Sequence, residues 1–398
     1  MNDKLNEVYI VSGARIPTGK FGKSLAGIDA PRLGAVALAE ALKRSGIPKE
    51  DVDEVIIGTH FQAGIKANSA RQCAMYAGLP ENIPAFTPNK NCATALKAIC
   101  LAAQSIMVGD NSIVAAGGCE CMSRIPYLLS DARFGYRMGP GELRDGMLYD
   151  GLVDPFCNYH MGITAENVAE KYGITREMQD EWAVRSHNLA EKAWASGKFT
   201  ADIAPIEVKV KRETVLMTED ETYLKGATLE NFAALKPVFK KDGGTVTVGN
   251  ASPCNDGAAV VMMASGQAAR EYQLPKLARY ITSTSAATDP AYMGYTPVYA
   301  VQKLMKKTGM KISDIGLWEL NEAFASQAVA CVRDLHIDPD LVNVNGGAIA
   351  LGHPVGATGC RLSITLISEM RRRGVKYGVV SLCIGGGQAM ATLYELCD

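Results

Sequence analysis

Four short stretches of this 398-residue chain carry the side chains best suited to chemistry. Cys92 lies in Asn89-Lys90-Asn91-Cys92-Ala93-Thr94-Ala95-Leu96, where an apolar helical run begins. A thiol at a helix N-terminus faces unpaired backbone N–H groups, and their partial positive charge lowers its pKa below the ~8.5 of free cysteine. Taken alone, the same residue also reads as a small buried apolar side chain. His353 sits in Gly346-Gly347-Ala348-Ile349-Ala350-Leu351-Gly352-His353-Pro354-Val355-Gly356-Ala357-Thr358-Gly359. A histidine among glycines, next to a proline and just before a helix, is held on a loop rather than packed into a core face. An incidental histidine in a glycine-rich turn is the plainer reading, but the chain has only five histidines. Cys383 stands in Ser381-Leu382-Cys383-Ile384-Gly385-Gly386-Gly387-Gln388, between a strand end and a glycine run. Such glycines let backbone N–H groups converge on an oxyanion, as acyl transfer requires, or cradle a phosphate. Neither glycine run matches a P-loop or a dinucleotide fingerprint. Asn321, in Asn321-Glu322-Ala323-Phe324-Ala325, opens a helix and in isolation reads as an N-cap. Cys119-Glu120-Cys121 is at most half of a metal site, and no second Cys/His pair stands at ligand spacing, so no metal is expected.

These residues need a scaffold. Val8–Val11, Val55–Gly58 and Ser112–Gly118 read as strands, with helical spacing over Ala35–Ser45 and Cys92–Met107. Strands alternating with helices predict a parallel sheet. Ala93–Met107 carries one formal charge, Lys97, so this helix is expected to be buried between layers. Residues 122–251 differ. An Arg-, Tyr-, Gly- and Asp-rich stretch leads into charged amphipathic helices at Thr164–Tyr172 and Arg176–Ser196. Strand character returns at Asp256–Ala264, and the αβ rhythm resumes from about 276. An internal repeat is visible there. Val52–Ile57 resembles Ile315–Leu320, each after an amphipathic helix, and each half ends in a strand running into glycines. Two similar α/β halves are expected.

The bulk properties are those of a globular protein of two or three packed units, with 47% hydrophobic and 21% charged residues. A formal net charge of −1 argues against a nucleic-acid partner. No secretory signal pattern precedes the Val8 run, and no stretch reaches the ~18 uninterrupted apolar residues of a membrane span. Eleven cysteines, an odd number, fit a reducing cytoplasm better than a disulfide framework.

Taken together, GGAIALGHPVGATG at 346–359, NEAFA at 321–325 and CIGGGQ at 383–388 resemble the thiolase family, over essentially the whole chain. His160–Asn167, Gly249–Ser252 and Tyr136–Gly139 resemble its short-chain, acetyl-CoA C-acetyltransferase branch. The resemblance implies a five-layer αβαβα core from two halves. Residues 1–121 with 252–275 would form one half, 276–398 the other, and 122–251 a loop domain for CoA binding and tetramerisation. It implies Cys92 as acylated nucleophile, His353 as its proton acceptor and Cys383 as the acid/base at the substrate α-carbon. Asn321 would hold a water that forms one oxyanion hole with His353, and the N–H groups of Cys92 and Gly385 would form the other. Leu152, His160 and Ser252 would line the CoA channel, and Met161 and Phe324 the acyl pocket. No cofactor is implied, since CoA thioesters are substrates. The implied assembly is a homotetramer, with no membrane partner. The chain departs from the family at Ala93-Thr94-Ala95, usually Gly-Ser-Gly, and at Pro253-Cys254, usually Gly and a branched aliphatic. Both add bulk or stiffness near the acyl site. A thiolase for a longer or functionalised 3-ketoacyl-CoA and a non-catalytic CoA- or lipid-binding relative are the competing readings. The presence of Cys92, His353, Cys383 and Asn321 together counts against the non-catalytic one.

Overall fold

The computed structural model describes residues 5–397. Its centre is one ten-stranded mixed sheet. The N-terminal half contributes β1 (Val8–Arg15), β2 (Glu54–Gly58), β3 (Ile113–Cys121) and β4 (Asn255–Ser265). The C-terminal half contributes β5 (Ala278–Ala287), β6 (Leu317–Leu320), β7 (Tyr377–Ile384) and β8 (Gln388–Leu396). The spatial order is β6-β7-β8-β5-β1-β4-β3-β2, and the two-residue strands Ala85–Phe86 and Gly19–Lys20 add to β2 and β4. Within the sheet, the halves join where Tyr9 and Ile10 of β1 pair with Arg279 and Ala278 of β5.

The expected parallel sheet is only partly present. β2–β3 and β6–β7 are parallel, and the other long pairs are antiparallel. The reason is local: β7 returns directly as β8 through Gly385-Gly386-Gly387, and a turn that short can join only antiparallel neighbours. Gly386 and Gly387 have φ of 80° and 77°, a conformation that a side chain would strain.

The principal helices are α1 (Ala30–Ser45), α2 (Ser69–Tyr76), α3 (Thr94–Val108), α4 (Met161–Tyr172), α5 (Arg176–Ala195), α6 (Pro297–Thr308), α7 (Ala325–Asp334) and α8 (Thr358–Arg373). α3 and α8 lie between the two half-sheets. Leu96, Ile99 and Ile106 of α3 and Leu362 and Leu366 of α8 share one cluster with Ile56, Val114, Val380 and Leu382. α1 and α2 cover the outer face of the N-terminal half, and α6 and α7 that of the C-terminal half. Five layers result. The Asn91–Val108 stretch is apolar and long enough to cross a membrane, yet here it fills the middle layer.

The repeat seen in the sequence is real in space. In each half a strand, a middle-layer helix and a parallel strand follow in order: β2–α3–β3 and β6–α8–β7. The halves differ at one point. Residues 385–387 join β7 to β8, whereas residues 122–254 join β3 to β4. That long insertion therefore leaves the sheet at the strand end corresponding to the glycine turn after Cys383.

Candidate active site

In an α/β fold, loops at the carboxyl ends of parallel strands form the natural binding crevice. Here those ends carry His60 after β2, Met122 after β3, Asn321 after β6 and Cys383–Gly385 at β7. The starts of the two middle-layer helices, with Cys92 and His353, meet them. A cavity of about 370 Å³ opens there and is lined by Cys92, His353, Gly385, Leu152, His160, Met161, Ser252 and Phe324, among others. Cys383 packs behind its wall against Met161 and Phe324, and Asn321 stands two residues before the lining residue Ala323; both are fully buried. None of the lining residues is Lys, Arg, Asp or Glu.

Cys92 is not in the first turn of α3 but in a 3₁₀ turn, Asn91–Ala93, that precedes it. Asn91 adopts a φ of 46°, and its amide donates to the Gly385 carbonyl at 3.3 Å, tying the turn to the glycine loop. The Gly385 and Cys92 backbone N–H groups both favour the thiolate. The expected lowering of the thiol pKa does not follow: burial outweighs those donors and pushes Cys92 up to about 11.

His353 is held from both sides. Its backbone N–H donates to Asn255 Oδ1 at 2.9 Å, and its Nδ1 lies 2.7 Å from Thr358 Oγ1. That hydroxyl donates to the Pro354 carbonyl at 2.9 Å, so it accepts from Nδ1–H and leaves Nε2 as the lone-pair nitrogen. Burial, aided by Arg361, drives the imidazole down to about 3 and keeps it neutral. Arg361 also donates to the Gly352 carbonyl at 3.2 Å. Gly352 has a φ of 89°, and a side chain there would strike Asn255.

Cys383 packs with Met161, Ala323 and Phe324. Burial raises its thiol well above the usual range, and the nearby Cys92 raises it further. Asn321 is not an N-cap: Phe324 occupies the cap position of α7. Neither side-chain heteroatom of Asn321 meets a protein partner, though its backbone N–H donates to the Ser381 carbonyl. Its neighbour Glu322 is fully engaged. It accepts from Trp182, Ser186, Asn343 and the Ile349 N–H, which locks the Gly346–Gly352 loop against α5.

The insertion supplies the other side. His160 caps α4, accepting from the Gly162 N–H at 3.0 Å, and stacks on Phe239 with centroids 4.6 Å apart. Ser252 Oγ donates to the Ala323 carbonyl at 3.0 Å. Pro253 and Cys254 line the cavity as well. Ala93, Thr94 and Ala95 do not: all three are fully buried in the middle layer, and the Thr94 methyl lies against Gly58.

Several lining residues lie outside the motifs, notably His60, Phe61, Met122 and Met293. The position of His60 and Phe61 just past a parallel strand was the one available cue. Glu120 was singled out only as a partner of Cys119 and Cys121. It is buried, and burial pushes its carboxyl up to about 7. It accepts from Thr59 Oγ1 and from the N–H groups of His60, Phe61 and Gly356, so it staples the loop after β2 to the loop that carries His353.

Comparison with known proteins agrees with this fold. The thiolase N-terminal domain model matches residues 8–267 and the C-terminal domain model residues 274–396. An acetyl-CoA acetyltransferase of Cupriavidus necator is 50% identical over 392 residues, which is 98% of this chain and all of that one. A probable acetyl-CoA acyltransferase of Staphylococcus aureus is 47% identical over 98% of this chain and 99% of its own. The crystal structure of the Bacillus anthracis acetyl-CoA acetyltransferase superposes with a TM-score of 0.97 at 43% identity, covering 100% of both chains. With both domain models matched in order and the five-layer core present, the chain belongs to the thiolase family.

Proposed function

We propose that this chain is an acetyl-CoA C-acetyltransferase that joins two acetyl-CoA into acetoacetyl-CoA and CoA, and runs the reverse thiolysis, through an acyl-cysteine. The observation that carries the reading is the convergence of a thiol, a neutral imidazole with its Nε2 lone pair available, a second buried thiol and two backbone donors on one uncharged cavity.

The residues support a balanced sequence of steps. Cys92 Sγ attacks the thioester carbon as His353 Nε2 takes its proton. The oxyanion is held by the Cys92 and Gly385 N–H groups, each such donor being worth roughly 10²–10³ in rate. The C–S bond to CoA breaks, and Cys383 gives the departing sulfur its proton. The Cys383 thiolate then takes an α-proton from the second acetyl-CoA, and the carbanion attacks the acyl carbon on Cys92. The enolate oxygen of the second acetyl-CoA is met by protonated His353 and by a water on the otherwise unpartnered Asn321 amide, and the tetrahedral oxyanion that follows on the acyl carbon is held again by the Cys92 and Gly385 N–H groups. Collapse releases the Cys92 thiolate, which recovers its proton from His353. Burial suits both thiols to this cycle: each is protonated at rest and is deprotonated only in the presence of its partner.

Leu152, His160 and Ser252 line the path for pantetheine, and Met161 and Phe324 hold the acyl group. Residues 122–251 act as a loop domain for CoA binding and assembly into a homotetramer, in the cytoplasm. The test is direct. Acetyl-CoA should leave an acetyl adduct on the Cys92 peptide by mass spectrometry, and Cys92→Ser should lose nearly all turnover. An adduct on Cys383 with Cys92 unmodified would overturn the assignment.

A further inference from the structure

The reaction cavity has two apolar walls of different character. Met161, Met293, Phe324 and Cys383 pack in one. Phe61, Met122 and Val355 form the other, together with Cys92, Leu152 and Cys254. The nucleophile therefore stands in the second wall. Phe61 lines the same cavity as Cys92, as does Met161.

We propose that Phe61 sets the upper limit on acyl-chain length, so that the enzyme takes short neutral acyl groups. The inference rests on the acyl-transfer reading above. Methionines bend around a longer chain at little cost, because three soft torsions and a thioether adapt to shape. Phe61 has no such freedom. Its backbone N–H donates to Glu120 Oε1 at 3.3 Å, and that of His60 to Oε2 at 3.0 Å. Its ring meets the His60 ring edge-on, with centroids 4.3 Å apart. Its far end lies against Gly151, where even a Cβ would come within 2.2 Å of Cζ. The ring is gripped at its root by a buried carboxylate and at its tip by the loop that carries Leu152. A chain long enough to reach it meets a rigid stop. Acyl groups ending in a carboxylate are excluded separately, since no cation lines the cavity to offset their desolvation.

The test compares thiolysis of acetoacetyl-CoA with that of 3-ketohexanoyl-CoA in the wild type, Phe61→Leu and Phe61→Ala. The expected result is a kcat/KM ratio that moves at least tenfold toward the six-carbon substrate in Phe61→Ala, with a smaller move the same way in Phe61→Leu. Phe61→Leu keeps most of the packing and carries the test if the alanine variant does not fold. A ratio unchanged within twofold in a folded variant overturns the limit while leaving the acyl-transfer reading intact. A wild-type protein that thiolyses neither substrate overturns both.

Discussion

Cys92 and His353 begin the proposed reaction as a neutral pair. Burial raises the thiol to about 11 and lowers the imidazole to about 3, so charge forms only as the thioester is attacked. The burden then falls on orientation, and Thr358 supplies it. Its hydroxyl accepts from Nδ1–H and donates to Pro354, which fixes both the tautomer and the ring plane. Thr358→Val keeps the shape and removes that acceptor. The loss of one such hydrogen bond, about 1 kcal/mol, should lower kcat roughly fivefold with KM little changed. Steady-state thiolysis kinetics measure this. A rise in KM at constant kcat would instead assign Thr358 to substrate binding.

Among the elements, α3 is the one whose unusual residues invite a specificity argument. Ala93, Thr94 and Ala95 face the middle layer and not the cavity. Their effect is on packing and, at Ala95 inside the helix, on propensity, where alanine exceeds glycine by about 0.5–1 kcal/mol. The triple change Ala93→Gly, Thr94→Ser, Ala95→Gly should therefore lower Tm while the acetoacetyl-CoA to 3-ketohexanoyl-CoA kcat/KM ratio stays within a factor of a few. A tenfold change in that ratio would show that α3 reaches the substrate. In α5, His187 is buried against Phe232 and accepts from the Leu224 N–H through Nδ1. Burial lowers it from 6.5 to about 4. The unfolded chain binds this proton first as pH falls, so stability is lost between about 6.5 and 4, at up to roughly 1.4 kcal/mol per pH unit. His187→Gln removes that contribution. The urea midpoint should then fall less steeply between pH 6.5 and pH 4.5 than in the wild type, and parallel curves would refute the assignment.

At the scale of the molecule, the stretch after β3 exposes Phe134 at 92% and Met138 at 98%, with Tyr127, Leu129 and Leu143 also exposed. Surface this apolar marks a contact between proteins. A homotetramer built through these loops predicts a mass near four times 42.5 kDa by light scattering at micromolar concentration. Phe134→Asp with Met138→Asp should shift that mass downward. A wild-type monomer would rule the assembly out.

Much of this protein was legible in its residues. Glycine runs beside Cys383 and His353, the helix after Cys92 with Lys97 as its one charge, and the echo of Val52–Ile57 in Ile315–Leu320 are local patterns. Local backbone chemistry and burial produce them, so they survive in a linear reading. The parallel sheet was overcalled because strand direction depends on connection length, and three glycines after β7 force a hairpin. Other properties arise only when distant segments meet. The pKa of Cys92 went against its helix position because desolvation by the whole enclosing shell outweighs its backbone donors, one of them on Gly385 nearly three hundred residues away. Asn321 looked like a cap until the fold placed Phe324 at the start of α7. Phe61 had no mark beyond its place just past β2, since its rigidity comes from Glu120 on one side and Gly151 on the other. The sequence by itself determined which groups could react and which segments would be buried. The tertiary structure alone decided which of those groups share a cavity, in what protonation state, and against which wall a substrate must stop, because distance and dielectric are properties of the packed chain.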